Sequence, residues 1–302
     1  MKEPALSGAK GESGSTLKTL GMSDWFPLGD CQLLVVSDGV LRLDAGAVFG
    51  LTPRIMWEPL AGPLDEEHRL GVGLNCLLVR SQGKLILVET GVGSKATRLP
   101  GAAGVGQAGT LLADLARQGI RPEEVDVVIN THLHFDHCGG NTTYRDDKLA
   151  LAFPRARYFV QKGEWEAANH PNERTRATYL AENLEPLADS RRLELVEGEA
   201  EVTKEVRILP APGHTADHAI VEVSSGGRTA LYVGELAQHP VMLERLAWIS
   251  AFDVLPLVTL ETKRRILERA VAEDALLVCV HSPPPGIGRI RLVEGKRKWE
   301  AA

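Results

Sequence analysis

Residues 131–141 read THLHFDHCGGN, and three histidines and an aspartate fall between His132 and His137. Imidazole nitrogens and a carboxylate, without thiolate, form a donor set suited to zinc, or to iron or manganese, at a site that keeps one position open for water. His132 and His134 are two residues apart and share one side of an extended segment. Asp136 and His137 converge on a neighbouring point once the chain turns at Gly139 and Gly140, so this one loop has donors for two metal positions. The preceding VDVVIN reads as a buried strand, which puts the donors on a loop leaving a sheet, where sites are commonly built. Cys138 beside them reads as a small packing residue, since free cysteine is among the most buried types.

Three stretches further along offer more donors: His214 follows Gly213 in PAPGHTADH, Glu235 stands in LYVGEL, and His281 follows a strand in VCVHSPPPG. Order and spacing over residues 30–285 resemble the metallo-β-lactamase superfamily, whose signature is HxHxDH after a strand. The resemblance implies one metal on His132, His134 and His214, a second on Asp136, His137 and His281, and Glu235 with a hydroxide between them. Within that family, HLHFDHCGGN is most like the lactonase-like metallohydrolases, which include the acyl-homoserine lactonases. Three positions depart from the family pattern. Glu89-Thr90-Gly91 replaces the usual DTG, Glu235 replaces the bridging aspartate, and Gln238 stands where the lactonases carry a carbonyl-polarising tyrosine. His68, His170, His218 and His239 read as structural histidines. His218, four residues after His214, is the candidate outer partner that fixes a ligand imidazole's tautomer.

The elements that must position these donors follow from hydrophobic patterning. Apolar β-rich runs at 31–39, 74–80, 84–90, 125–131, 157–161, 191–197, 206–211, 218–225, 228–235 and 275–281 predict strands, and the second and third of these predict a hairpin turning at 81–83. Residues 110–120 and 257–273 carry helical spacing, and the polar segment 162–188 predicts one or two helices. So many strands exceed one flat sheet, and the expected fold is α/β: a four-layer αββα sandwich of two mixed sheets packed face to face, with helices outside and the site on connecting loops. Residues 1–28, rich in Gly, Ser, Lys and Glu, are expected to form a flexible tail, and 29–302 a single hydrolase domain.

A 44% hydrophobic, 25% charged composition is that of an ordinary globular chain. A formal charge of −6 argues against a nucleic-acid partner. The four cysteines form no CxxC pair, no run of 18 apolar residues occurs, and the first residues lack a signal-peptide core. A cytoplasmic protein without a membrane partner is expected, with homodimerisation left open.

The expected reaction is attack by a metal-bound hydroxide on an ester or lactone of a small molecule. Asp136 and Glu235 are the catalytic proton acceptors, and two divalent ions are needed, zinc first, with iron or manganese as alternatives. Residues 44–70, with Phe49, Ile55, Met56 and Trp57, and segment 141–190 are candidate walls of an apolar acyl pocket. Thioester hydrolysis and single-iron dioxygenation remain open alternatives on the same fold. The two Asp-to-Glu departures motivate a further one, a non-catalytic metal-binding or scaffold protein.

Overall fold

The computed structural model describes residues 24–95 and 106–302. Strands β1 (Phe26–Leu28), β2 (Cys31–Asp44), β3 (Arg69–Ser81), β4 (Lys84–Val88) and β5 (Val127–Ile129) come first. A small hairpin, β6 (Thr142–Arg145) and β7 (Lys148–Leu151), stands apart, before β8 (Arg157–Gln161) and β9 (Leu193–Val196) complete a seven-stranded sheet in the order β1-β2-β3-β4-β5-β8-β9. β10 (Ala200–Thr203), β11 (Val206–Pro210), β12 (Ala219–Ser225), β13 (Arg228–Tyr232), β14 (Leu276–Val278), β15 (Ile287–Val293) and β16 (Lys296–Ala301) form a second seven-stranded sheet in chain order. Both sheets are mixed: β4, β5, β8 and β9 run parallel, as do β13 and β14, and the remaining pairs are antiparallel.

The helices are α1 (Ala45–Phe49), α2 (Arg54–Ala61), α3 (Leu111–Arg117), α4 (Phe135–Cys138), α5 (Lys162–Asn169), α6 (Glu185–Ala188), α7 (Pro240–Glu244) and α8 (Pro256–Ala272). Side chains alternate across each strand, and this alternation sorts the layers. Leu33 and Val35 of β2, Leu77 and Val79 of β3, and Val127 and Ile129 of β5 point inward, where they meet Ile208, Val221, Tyr232 and Val278 of the second sheet. Their neighbours Leu34, Leu78 and Val128 point outward against Leu111 and Leu115 of α3. Leu209, Ile220, Leu231 and Leu277 cover the outside of the second sheet against Ile266, Leu267 and Ala270 of α8. The layers therefore run helix, sheet, sheet, helix. Each large aliphatic side chain buried this way contributes about 1.5–3 kcal/mol.

The predicted hairpin is present, closing at Ser81 and Lys84. Strand Phe26–Leu28 falls within the expected tail 1–28, of which residues 1–23 lie outside the described residues. Segment 162–188 is helical at its two ends, in α5 and α6, with an irregular stretch between that begins near Pro171. A residue before proline disfavours the α region, which ends α5 there. All four cysteines are free and buried, and among the described residues no helix is long and apolar enough to cross a membrane.

Candidate metal centre

The donors gather where strands of both sheets end. His132 to His137 follow β5, Glu235 follows β13 and His281 follows β14, all at carboxyl ends of parallel-paired strands, the edge of an open α/β sheet that most often hosts ligands. His214 lies on the turn between β11 and β12. His132, His134 and His214 form one group, and Asp136, His137, Glu235 and His281 a second; within each group the potential ligand atoms lie within 4.8 Å of one another. All seven site residues chosen from the sequence are in these two groups. A third combination, Glu89 with His132 and His137, adds a residue that the sequence marked only as a departure.

Glycine is required just before two of these donors. Gly213 has φ +145°, and a Cβ there would stand 2.4 Å from Thr259 Oγ1 at the start of α8. Gly234 has φ +50°, and a Cβ there would stand 2.6 Å from His218 Nε2. Both positions combine a backbone conformation that glycine tolerates with a close approach that a larger residue prevents.

Several of the donors are held from behind. His281 Nδ1 lies 2.8 Å from the Gly73 carbonyl on β3, and His214 Nδ1 lies 2.9 Å from Asp253 Oδ1. Such contacts fix which ring nitrogen faces the centre. Asn75 on β3 donates its amide to the carbonyls of Cys279 and Ser282, so the His281 loop is pinned to the opposite sheet. Thr90 Oγ1 and the Asn130 amide both donate to the carbonyl of His137. His218 does not act on a ligand imidazole: its Nδ1 faces the Ala211 carbonyl at 2.9 Å, and its Nε2 accepts the backbone N–H of Glu235 at 3.0 Å. It therefore fixes the backbone that carries Glu235, the reach of a histidine across the sheet edge having no signature in its spacing from His214.

Two buried carboxylates organise the loop further. Glu89, at φ +66°, accepts the N–H of Thr131 at 2.7 Å and places its other oxygen 3.5 Å from His137 Nδ1. Glu164 on α5 accepts three hydrogen bonds, from the Leu133 N–H at 3.0 Å, the Tyr179 hydroxyl at 2.9 Å and the Thr215 hydroxyl at 2.6 Å. It thereby ties the His132–His134 loop to the turn that carries His214. Burial pushes its carboxyl up from the ordinary value despite those donors.

Electrostatics divide the cluster differently from geometry, setting His214 apart from its two partners and alongside the histidines that face carboxylates. Burial, and then the neighbouring histidines, hold His132 and His134 well below the ordinary imidazole value, so both are neutral and keep a lone pair. Burial works against protonation of His137, His214 and His281 as well, but it is outweighed there: by Asp136 and Glu89 at His137, by Asp253 and Glu235 at His214, and by Glu235 at His281. Burial likewise opposes ionisation of Glu235, and His281 and His137 overcome it, holding the carboxyl well below its usual range. Glu235 Oε1 touches His281 Nε2 and lies 3.1 Å from His137 Nε2, while Asp136 Oδ2 lies 3.6 Å from His281 Nε2.

A divalent cation fits this arrangement. His132 Nε2, His134 Nε2 and Glu235 Oε2 are buried without a hydrogen-bond partner, and buried polar atoms of native proteins rarely go unpartnered. Oxygen and nitrogen donors aimed at a common point, in groups of three and four, supply what a metal would satisfy.

Above the donors a cleft of about 150 Å³ opens between Leu43, Phe135, Arg174, Thr178 and Phe252, with His134, Asp136, His214 and Glu235 at its floor. Asp136, at 8% exposure the most open of the seven, faces it. The expected acyl wall is present only in part. Phe49 and Trp57 stack on each other in the core with ring centroids 4.9 Å apart, Ile55 is exposed, and Met56 lines a neighbouring groove. Gln238 is buried, with its amide directed at Asp253.

Two mixed sheets flanked by helices, with a histidine and carboxylate cluster at their shared edge, define an α/β protein suited to binding metal. The chain belongs to the metallo-beta-lactamase superfamily, whose family model matches residues 70–281, more than half of its length. An N-acyl homoserine lactonase of a Bacillus species is 32% identical over 171 residues, which are 52% of this chain and 62% of the relative. The chain thus spans less than two thirds of that relative's length. Among solved structures, a probable metal-dependent hydrolase from Staphylococcus aureus superposes with a TM-score of 0.80 at 21% identity, covering 92% of this chain and 99% of that one. A dizinc quorum-quenching lactonase in complex with a product superposes at 0.77 with 22% identity, covering 92% and 97%. These last two carry the fold, and the lactonase relatives support a lactonase-like branch.

Proposed function

We propose that the chain is a metal-dependent hydrolase that cleaves an ester or lactone bond of a small molecule. The observation that carries this is the pair of donor groups, three histidines beside Asp136, His137, Glu235 and His281, at the floor of an open cleft. The lactonases among its relatives and structural neighbours support the same reading.

His132, His134 and His214 would hold one divalent ion, preferably zinc, and Asp136, His137 and His281 a second, with Glu235 as a further donor beside the second group. Bound there, the pair supplies a water ionised near neutral pH and a Lewis acid for the carbonyl oxygen. The chain's own residues do the rest. Leu43, Phe135 and Phe252 exclude bulk water from one side of the cleft. Asp136, the most accessible carboxylate, accepts a proton and returns it to the departing alkoxide oxygen, with Glu235 as the second acceptor. Gln238 directs its amide at Asp253 and so takes no part in polarising the carbonyl.

The test is elemental analysis of gently purified protein together with turnover of N-hexanoyl-homoserine lactone, γ-lactones and aryl esters. Close to two zinc ions per chain and chelator-sensitive hydrolysis are expected. Full metal loading with no turnover across the panel would overturn the hydrolase reading in favour of a binding protein. A single ion that rises to two only in Glu235→Asp would show that the longer carboxylate disables the second position.

A further inference from the structure

Arg174 lies on the irregular stretch between α5 and α6 and lines two spaces at once. One is the cleft above the donors; the other is an apolar groove of about 560 Å³ bounded by Leu51, Met56, Trp248, Ile249 and Leu257. The two share Ala251 as well, so a molecule passing from one to the other crosses the guanidinium. The NH2 group of Arg174 donates to the carbonyls of Ala251 at 2.8 Å and Asp253 at 3.1 Å. That pair of bonds holds an otherwise exposed side chain in place, and most of its ordering entropy is lost before anything binds. Its Nε–H and NH1 donors remain, and among the described residues no carboxylate pairs with it. Apart from the histidines at the floor, it is the one basic side chain on the wall of either space among the described residues.

A cation with free donors, immobilised at the seam of a hydrolytic cleft, calls for an anion there. Hydrogen bonds from guanidinium to carboxylate are among the strongest available to a protein. We infer that Arg174 is a specificity-determining residue that anchors a carboxylate of the substrate. The substrate class is then an anionic ester or lactone: its scissile carbonyl sits over the donors, its carboxylate at Arg174, and hydrocarbon beyond that point enters the groove. This rests on the hydrolytic reading above.

The test compares the 4-nitrophenyl half-esters of glutaric, adipic and sebacic acid with the neutral 4-nitrophenyl esters of matching chain length, on zinc-loaded wild type, Arg174→Met and Arg174→Lys. At one chain length the wild type is expected to favour the half-ester by about tenfold or more in kcat/KM, carried by KM. Arg174→Met abolishes that preference, lowering kcat/KM on the half-ester about tenfold more than on the neutral ester of the same length, with the zinc content unchanged, while Arg174→Lys restores part of the preference. Equal rates on half-ester and neutral ester in the wild type overturn the inference. So does an Arg174→Met protein that loses the two kinds of ester equally, because then the residue only straps the two loops together. If no ester is cleaved, the hydrolytic reading fails, and calorimetry decides the anion site separately. Adipate binding weakened about tenfold by Arg174→Met, with hexanoate binding unchanged, upholds the carboxylate anchor. Indistinguishable adipate binding by the two proteins refutes it.

Discussion

Replacing Glu164 tests how the metal centre is assembled. Its carboxylate receives the Leu133 N–H, the Tyr179 hydroxyl and the Thr215 hydroxyl, all buried. In Glu164→Ala the two hydroxyls can rotate toward other acceptors, but the Leu133 N–H is fixed by the backbone and is left without a partner. A hydrogen bond to a charged group contributes about 1.5–3 kcal/mol, and a lost buried network with the cavity beneath it costs about 3–5 kcal/mol. That is a large part of a total stability of about 5–15 kcal/mol. Glu164→Gln retains an acceptor for Leu133 and Tyr179 and turns an amide donor toward Thr215, so its cost is about 1 kcal/mol. The two loops released in Glu164→Ala carry all three histidines of the first group, and zinc affinity there should fall about 10–100-fold, as for other outer partners of metal ligands. Urea unfolding of chelated protein measures the first effect, and zinc competition against a chromophoric chelator the second. A Glu164→Ala protein with the wild-type midpoint and zinc affinity would refute the reasoning. Lost stability with unchanged affinity would refute the link between Glu164 and the ligand loops.

Two further predictions concern His239 and the glycine that precedes His214. Burial holds His239 down at about 4, and its Nδ1 accepts the Val241 N–H at the start of α7. Because the folded value lies below the ordinary 6.5, the unfolded chain binds the extra proton between those two values. The contribution of His239 is present above pH 6.5 and is lost as pH falls toward 4, by at most about 3 kcal/mol. His239→Asn keeps a capping acceptor and should flatten unfolding free energy against pH in that window; a slope equal to wild type would contradict this. Gly213→Ala forces a Cβ into Thr259 at an unfavourable φ, and thermal and urea unfolding should report a loss of about 2–4 kcal/mol. A loss under 0.5 kcal/mol would mean that the α8 start yields freely.

The strands that carry the donors were legible because burial on both faces makes them near-continuous apolar runs, as in the LILV of β4, the VVI of β5 and the LLV of β14. The β15–β16 hairpin was not: Arg289 and Arg291 interrupt the apolar residues of IGRIRLV, KRKWEA carries charge on both faces, and most of β16 is exposed, so hydrophobic patterning has little to mark. The metal donors were legible as types at fixed spacing. Their supports were not, because a partner chosen by three-dimensional proximity has no preferred sequence distance. Asp253 lies 39 residues from His214, and Glu164 is 31 from Leu133, inside a helix whose other acidic residue, Glu166, faces solvent. Arg174 escaped for another reason: within a polar segment that read as helical, nothing distinguished it from its solvated neighbours.

The walls of the cleft and its floor come from different kinds of chain. Floor residues follow strand ends locked between two sheets, with Asn75 and Tyr232 fastening one sheet to the other beneath them. Much of the wall comes from connectors, the stretch 170–180 and the loop at 251–254, which join to each other through Arg174 alone among the hydrogen bonds described here. Chemistry and selectivity are therefore separable only residue by residue in this molecule. Exposed wall positions such as Arg174 and Phe252 can change which molecules are admitted, whereas Tyr179 and Asp253 in the same two connectors brace Glu164 and His214, so exchanging a whole connector would also disturb the donors.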